Sequence, residues 1–349
     1  MIQTSRRLLL TLLLTVFSTG ALAFDGNSKE ESPLDIMGTV ADHDYFSFFG
    51  SKIPLPRILV VEDGQGSMSL QVFGSTHAAA ETVMFDEADH SLVFASGFQD
   101  HHIVIDFSIT SHLVYFWFGM GLAVTLTLMA AGRYKKGIGR ETAPRGALQN
   151  IFEVLFEFIR DDVARPNIPA EKADRYLPYL FTMFFGIMFM NLFGLLPWAA
   201  TATADLTVTA TLAVFTFLIT QFSGTKDHWQ HVFWFPGVPL GVKFLMIPVE
   251  LVGLLTKPFA LAIRLFANML SGKIMIIAIV GLIFIFNQMY GDVAAWGVSL
   301  FSVSLTVVLY ALKVFVALLQ AYIFTLLSGV FIGMAAESHD HHHDEAHAH

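Results

Sequence analysis

The chain has 349 residues, 54% of them hydrophobic and only 14% charged, with a mean hydropathy of +0.60. A soluble domain carries roughly 25% charged residues, so this composition excludes disorder and disfavours a soluble globular protein. The absence of cysteine excludes a disulfide scaffold, a thiolate zinc site and a cysteine nucleophile.

The net charge of −9 sits mostly at one end. Residues 1–23 carry Arg6 and Arg7, then an apolar run from Leu8 to Phe17, then Ala21-Leu22-Ala23. That order predicts a cleaved secretory signal peptide; the run is short for an uncleaved anchor. Residues 24–112 hold 14 acidic and 3 basic residues and form an exported acidic region. Within it, Arg57 to Phe73 reads as two strands around a Gly-containing turn, so the region is expected to contain some β-structure. His77, His90, His101 and His102 match no metal-ligand spacing and read as solvated.

Residues 113–132 form an uncharged run of 20, long enough to cross a ~30 Å hydrocarbon core. Arg133, Lys135, Lys136, Arg140 and Arg145 follow, which places that loop in the cytoplasm and the N-terminus in the periplasm. Leu148 to Ile159 has apolar residues at helical period, opposite Gln149, Glu153, Glu157 and Arg160: an amphipathic surface helix. Leu177 to Ala200 and Leu206 to Ser223 read as an upright hairpin of spans, and Lys226 to Lys243, with Pro236, Gly237 and Pro239, as a loop.

Phe244–Phe286 and Val293–Met334 are apolar stretches of 43 and 42 residues. As single helices each runs about 65 Å at ~1.5 Å per residue, so each either breaks into two spans or lies steeply tilted in the bilayer. No polar loop interrupts the first, and Pro248, Gly253, Pro258 and Gly272 permit only bending. Two long tilted helices joined near Asn287–Asp292 are therefore expected.

The first of these stretches contains four charges, Glu250, Lys257, Arg264 and Lys273. An arginine in an apolar span costs at least ~2.5–3.5 kcal/mol on insertion scales, so it must face protein or water. At about 100° per residue, Glu250, Lys257 and Arg264 fall within roughly 40° of one another, and Asn268 lies about 40° from Arg264, while Lys273 points away. Lys313 and Gln320 share a face of the last stretch. Snorkelling or self-pairing would account for such stripes; an ion-conducting surface accounts for more of them.

The run from Glu250 through Thr256-Lys-Pro-Phe to Arg264-Leu-Phe-Ala-Asn268-Met resembles the signature of subunit a of F-type ATP synthases. Leu319-Gln320-Ala-Tyr-Ile-Phe is similar to that family's last helix, and Asn191-Leu-Phe-Gly-Leu-Leu-Pro197 to its first hairpin helix, with Asp205 following. The resemblance covers about Leu113 to Ala336. It implies an all-α polytopic membrane protein with one N-terminal span, a surface helix, an upright hairpin and two long tilted helices, packed against a rotating ring of c subunits. It further implies b subunits of a peripheral stalk and the F₁ sector as partners, the bacterial inner membrane as location, and no cofactor, no metal and no nucleic acid.

By the same resemblance, Arg264 is the stator arginine facing the ring carboxylates. Glu250 lies on the cytoplasmic half-channel. Asn268 and Gln320 border the outer half-channel, which Asn191 and Asp205 line or enter. The domain reading is a signal peptide at 1–23, an acidic periplasmic region at 24–112, the membrane domain at 113–336 and a disordered tail at 337–349. The tail's six histidines and four acids make it at most a weak Zn²⁺ or Ni²⁺ binder.

Two positions depart from the family pattern. Where members usually carry a titratable Glu and His, this chain has Lys273 and Lys313. Two lysines repel if they meet, so one is neutral, or an anion such as Asp205 lies between them, or both reach exterior water; a role in setting the polarity of the outer path fits each case. A secondary transporter would show internal repeats and broken helices, which the sequence lacks. A membrane enzyme would need a nucleophile–base pair or a metal trio, and no histidine lies between His231 and His339.

Overall fold

The computed structural model describes residues 43–48, 51–62, 67–80, 85–88, 91–94, 102–137, 146–196, 199–233 and 240–337. The signal-peptide reading, His90, His101, Pro197, most of the basic loop and the His-rich tail lie outside them. The chain is mostly helical, with a small strand-bearing region at its N-terminal side, and packs as two units.

The first unit comprises Met1–Phe118, Leu192–Ala202 and Gly272–Ala311. Strands β1 (Tyr45–Phe48) and β2 (Ser51–Pro54) form a hairpin, as do β5 (Phe85–Ala88) and β6 (Ser91–Phe94). The expected pair from Arg57 to Phe73 is present as β3 (Arg57–Glu62) and β4 (Met68–Phe73), in register from Arg57↔Phe73 to Glu62↔Met68. β3 is also the centre of a three-stranded sheet, because β7 (His102–Asp106) pairs along its other edge. Its alternate residues Leu59 and Val61 are buried, as the two-residue period of a strand requires. A short helix α1 (Thr76–Ala80) follows β4, and its Thr76 hydroxyl accepts a hydrogen bond from Arg57 Nε at 2.9 Å.

This region is latched to the first long helix, α2 (Ser111–Lys135). Ser111 N donates to His43 O (2.9 Å), His43 N donates to Ser111 Oγ (3.2 Å), and Tyr115 Oη donates to Ser47 O (2.5 Å).

The second unit comprises Gly119–Asn191, Thr203–Ser271 and Leu312–His349. Its amphipathic helix is α3 (Ala147–Phe158), which widens into a π-helical stretch at Ile159–Ala164. Phe152 of α3 stacks on Phe185 of α4 (Ala170–Gly194), with ring centroids 4.6 Å apart. Gln149, placed on the polar face by the sequence, is fully buried, while Ile151 and Val154 are exposed. The packed face is thus rotated from the one hydrophobicity alone selects, because the Phe152–Phe185 stack sets the contact. At the end of α3, Arg160 and Arg165 both hold Asp161, and the Arg160 hydrogen bond keeps that carboxyl below its usual range.

α5 (Leu206–Ser223) begins at Asp205, whose side chain caps the helix by accepting from Thr207 N (2.6 Å) and Val208 N (3.4 Å). The segment expected to be a loop after it is a correction. Lys226–Phe233 forms a helix, α6, nucleated by Thr225, whose hydroxyl accepts from His228 N (3.3 Å). Leu240–Lys243 already belongs to the next helix; residues 234–239, which hold the Pro-Gly-Pro signal, lie outside the described residues.

The two long helices are continuous. α7 runs from Leu240 to Tyr290 through both prolines, and α8 from Asp292 to Ala336. Gly291 alone separates them, at φ +79°, a left-handed conformation that favours glycine. The helix break is therefore one residue, shorter than the expected six-residue joint. Five helices among the described residues are long and apolar enough to cross a membrane: α2, α4, α5, Met246–Tyr290 of α7, and α8.

Candidate ion-pathway site

The site in the second unit is built from α7 and α8, with α4 and α5 in support. Along α7, Leu254, Leu261, Leu265 and Met269 are buried, a seven- and four-residue spacing that marks the packed face. The opposite face presents Leu255, Phe259, Ile263, Arg264 and Ala267 as exposed residues. Arg264 is thus exposed at the edge of an apolar stripe. Among the described residues none offers it a hydrogen bond or an ion pair.

One turn on, the side chain of Asn268 points to α8. Its Nδ2 donates to Gln320 Oε1 at 2.8 Å, and its backbone carbonyl accepts from Lys313 Nζ at 3.2 Å. Gln320 is 2% exposed and Lys313 9%. Gln320 Nε2 finds no acceptor among the described residues. A buried amide nitrogen in that state is where an ordered water is expected, since buried polar groups are almost always satisfied.

Asn191 of α4 is fully buried and bonded at both ends of its amide. Nδ2 donates to Ala317 O of α8 (3.1 Å), and Oδ1 accepts from Thr203 Oγ1 (2.7 Å). Three sequence-predicted residues, Asn268, Gln320 and Lys313, are therefore brought into direct contact, and Asn191 binds the α8 turn between Lys313 and Gln320. Asp205 serves its helix as a cap. Lys273 lies in the first unit, where its Nζ donates to Ala199 O at 3.5 Å.

Glu250 and Lys257 lie further toward the N-terminus of α7. They line a cavity of about 290 Å³ together with Asp227 and His228 of α6 and Phe331 and Glu337 at the end of α8. Lys257 Nζ sits 5.8 Å from the centre of the Phe331 ring, within cation–π range. Glu337 is itself exposed. Sequence reasoning did not find Asp227, His228 or Glu337 as site residues. Two fall in the segment read as a loop and one in the segment read as tail, and only folding brings them to Glu250. The Thr225 capping position was the one local signal that a helix starts there.

Among the described residues, five apolar helices of membrane length, one of them carrying an arginine on an exposed face and a polar cavity along its side, define a polytopic membrane protein. The sequence profile of the family described as ATP synthase A chain matches residues 113–333. The chain is 45% identical over 247 residues to ATP synthase subunit a of Chloroherpeton thalassium, covering 70% of this chain and 71% of that one. It is 37% identical over 354 residues to ATP synthase subunit a 2 of Chlorobaculum tepidum, covering 97% and 95%, so that likeness includes the N-terminal region. With subunit a of Anaeromyxobacter sp. it shares 44% over 245 residues, 68% of this chain and 56% of the other. The chain belongs to the ATP synthase subunit a family: a membrane subunit of the F₀ proton-translocating sector, not catalytic by itself.

Proposed function

We propose that this chain is the stator through which ions reach and leave the carboxylates of a rotating c-subunit ring, with Arg264 as the group those carboxylates pass. The observation that carries this reading is Arg264 exposed on an apolar face with no partner among the described residues. A guanidinium there calls for an anion from a partner subunit, since the group stays charged in a protein. At about 4 Å and an effective dielectric of about 20, the attraction is about 4 kcal/mol. That favours the ionised ring carboxylate by roughly a thousandfold. A carboxylate beside Arg264 therefore gives up its proton, and one that has moved into lipid must take one. This is the condition for two offset half-channels instead of one pore.

On this reading the cavity at Glu250 and Lys257 is the cytoplasmic half-channel. The Asn268–Gln320 pair, Lys313, Asn191, Asp205 and Lys273 belong to the outer one. Lys273 and Lys313 set its polarity instead of relaying each proton. Residues 1–23 are a signal peptide, 24–112 an exported periplasmic region, 113–336 the membrane domain and 337–349 a tail. The N-terminus is periplasmic and the C-terminus cytoplasmic in the bacterial inner membrane, with long helices tilted in it. The c ring, the b subunits of the peripheral stalk and the F₁ head are the partners. ATP-driven proton uptake by inverted membrane vesicles tests the central claim. Arg264→Ala is expected to leave an assembled complex with no coupled uptake; coupled uptake at the wild-type rate overturns it.

A further inference from the structure

The three-stranded sheet of the first unit has two unlike sides. On one side of β3 stand Arg57, Leu59 and Val61. Leu59 and Val61 are buried, and Arg57 reaches Asp106 of β7 (3.7 Å) and Thr76 of α1 (2.9 Å). The alternate residues Ile58, Val60 and Glu62 stand on the other side. Their registered neighbours are Val72, Leu70 and Met68 on β4, and Ile105 on β7 faces Val60. Phe107 N donates to Ile58 O (2.8 Å), which carries the pairing past the end of β7. Met68, Leu70, Val72, Ile105 and Phe107 are 47–66% exposed. Where one face of an antiparallel sheet packs on a core, the other is ordinarily polar. Here it is apolar, and Glu62 is its single charge among the described residues.

This face is tied to a membrane span at close range. Phe107 comes four positions before Ser111, the first residue of α2, so their Cα atoms lie within about 14 Å of each other. Ile109 N donates to Pro56 O (3.2 Å), and the bonds of His43 to Ser111 and of Tyr115 to Ser47 hold the start of α2 against the same region. Two turns into α2, Trp117 and Phe118 are exposed, aromatic residues of the kind that gather at headgroup level. Along the sheet, Phe107, Ile58 and Val72 stand at the end nearest the span, and Glu62 stands at the far end.

We propose that this sheet face lies on the bilayer surface, in the leaflet where α2 begins, with Leu70, Val72, Ile105 and Phe107 in the boundary between headgroups and acyl chains. Two features select lipid over a protein. A protein interface carries about one hydrogen bond per 100–200 Å². The side chains of this face, Glu62 apart, have no hydrogen-bonding group to offer, and acyl chains require none. The apolar face also runs toward α2, whose own surface meets lipid. The sheet's edges limit its depth. β4 and β7 are the outer strands, and open sheet edges are not tolerated in hydrocarbon. The face therefore enters only ~5–10 Å, as amphipathic elements lying at the interface do. Docking of this kind requires only that α2 cross the membrane, whatever path the ions take.

The chain has no cysteine, so single cysteines can carry a nitroxide label in the whole complex, reconstituted in lipid vesicles with the cysteines of other subunits removed. Leu70→Cys and Val72→Cys are compared with Ser69→Cys, on the opposite side of β4. All three side chains are exposed, so the substitutions remove no core contact, and ATP-driven proton uptake confirms that each labelled complex is assembled. Relaxation by oxygen, which concentrates in acyl chains, and by a water-soluble nickel chelate reads where each label sits. At Leu70→Cys and Val72→Cys, strong relaxation by oxygen and weak relaxation by the chelate are expected, with the reverse at Ser69→Cys. Adding Leu70→Asp to Val72→Cys is expected to shift the docked-to-free ratio about tenfold or more toward water, so that the chelate then reaches the Val72→Cys label. Equal behaviour of the three labels overturns the proposal. Shielding of Leu70→Cys and Val72→Cys from both agents also overturns it, because a protein then covers the face. So does a Val72→Cys signal that Leu70→Asp leaves unchanged.

Discussion

Lys313→Met separates the stability of the membrane core from its function. Lys313 is 9% exposed, and its ammonium makes one hydrogen bond to a described residue, with Asn268 O at 3.2 Å. An ammonium carries three donors. Burying such an ion costs several kcal/mol even after relaxation, and one charged hydrogen bond returns about 1.5–3 kcal/mol. Methionine has nearly the same length and no charge, and a volume-conserving exchange costs less than ~1.5 kcal/mol. The substitution is therefore expected to raise stability, by about 1–3 kcal/mol. If Lys313 is kept for the outer path, the same change slows ion flow. The assay measures both on one preparation: the midpoint of thermal aggregation of the detergent-solubilised complex, and ATP-driven proton uptake after reconstitution. A lowered midpoint would show that Lys313 is a net stabilising partner of Asn268 and refute the energetic reasoning. A raised midpoint with unchanged uptake would refute the functional half.

Lys273→Ala is expected to lower proton-driven ATP synthesis in vesicles, and full retention in both Lys273→Ala and Lys313→Ala excludes a functional role for the pair. Gly333→Val should deplete the subunit from membranes, because a Cβ at Gly333 collides with the Asn167 carbonyl, which cannot yield as a side chain would. Overpacking of this kind costs about 1–3 kcal/mol or more, and immunodetection of the assembled subunit reads it. Asn191→Leu keeps the branched shape and heavy-atom count but orphans Thr203 Oγ1 and removes the bond to Ala317 O. A loss of about 1–3 kcal/mol is expected, visible as a lower aggregation midpoint, and the double variant Asn191→Leu with Thr203→Val should recover part of it.

The helices that enter the membrane were legible because their signals are local. An uncharged, mostly apolar run of 20 such as 113–132 must be helical in lipid, where no water satisfies the backbone, and the prolines of α7 were rightly read as not splitting it into two spans. The Arg57–Phe73 strand pair was legible for the same reason, as two short β-prone runs around a Gly-containing turn. The third strand, His102–Asp106, was not, since its pairing to β3 spans about forty residues that carry no mark of it. Lys226–Phe233 was misread because it is short and polar on average, runs toward a Pro-Gly-Pro signal, and starts at one capping hydroxyl.

The candidate site divides along the same line. Spacing on one helix put Glu250, Lys257, Arg264 and Asn268 on a single stripe, because 3.6 residues per turn is a property of the backbone and needs no partner. Whether each charge faces a neighbour, a cavity or the outside depends on what packs against that helix, and sequence spacing holds no such information. Tertiary structure alone decided that Asn268 meets Gln320 and Lys313, that Arg264 is left facing outward, and that Asp227, His228 and Glu337 join Glu250 around one cavity.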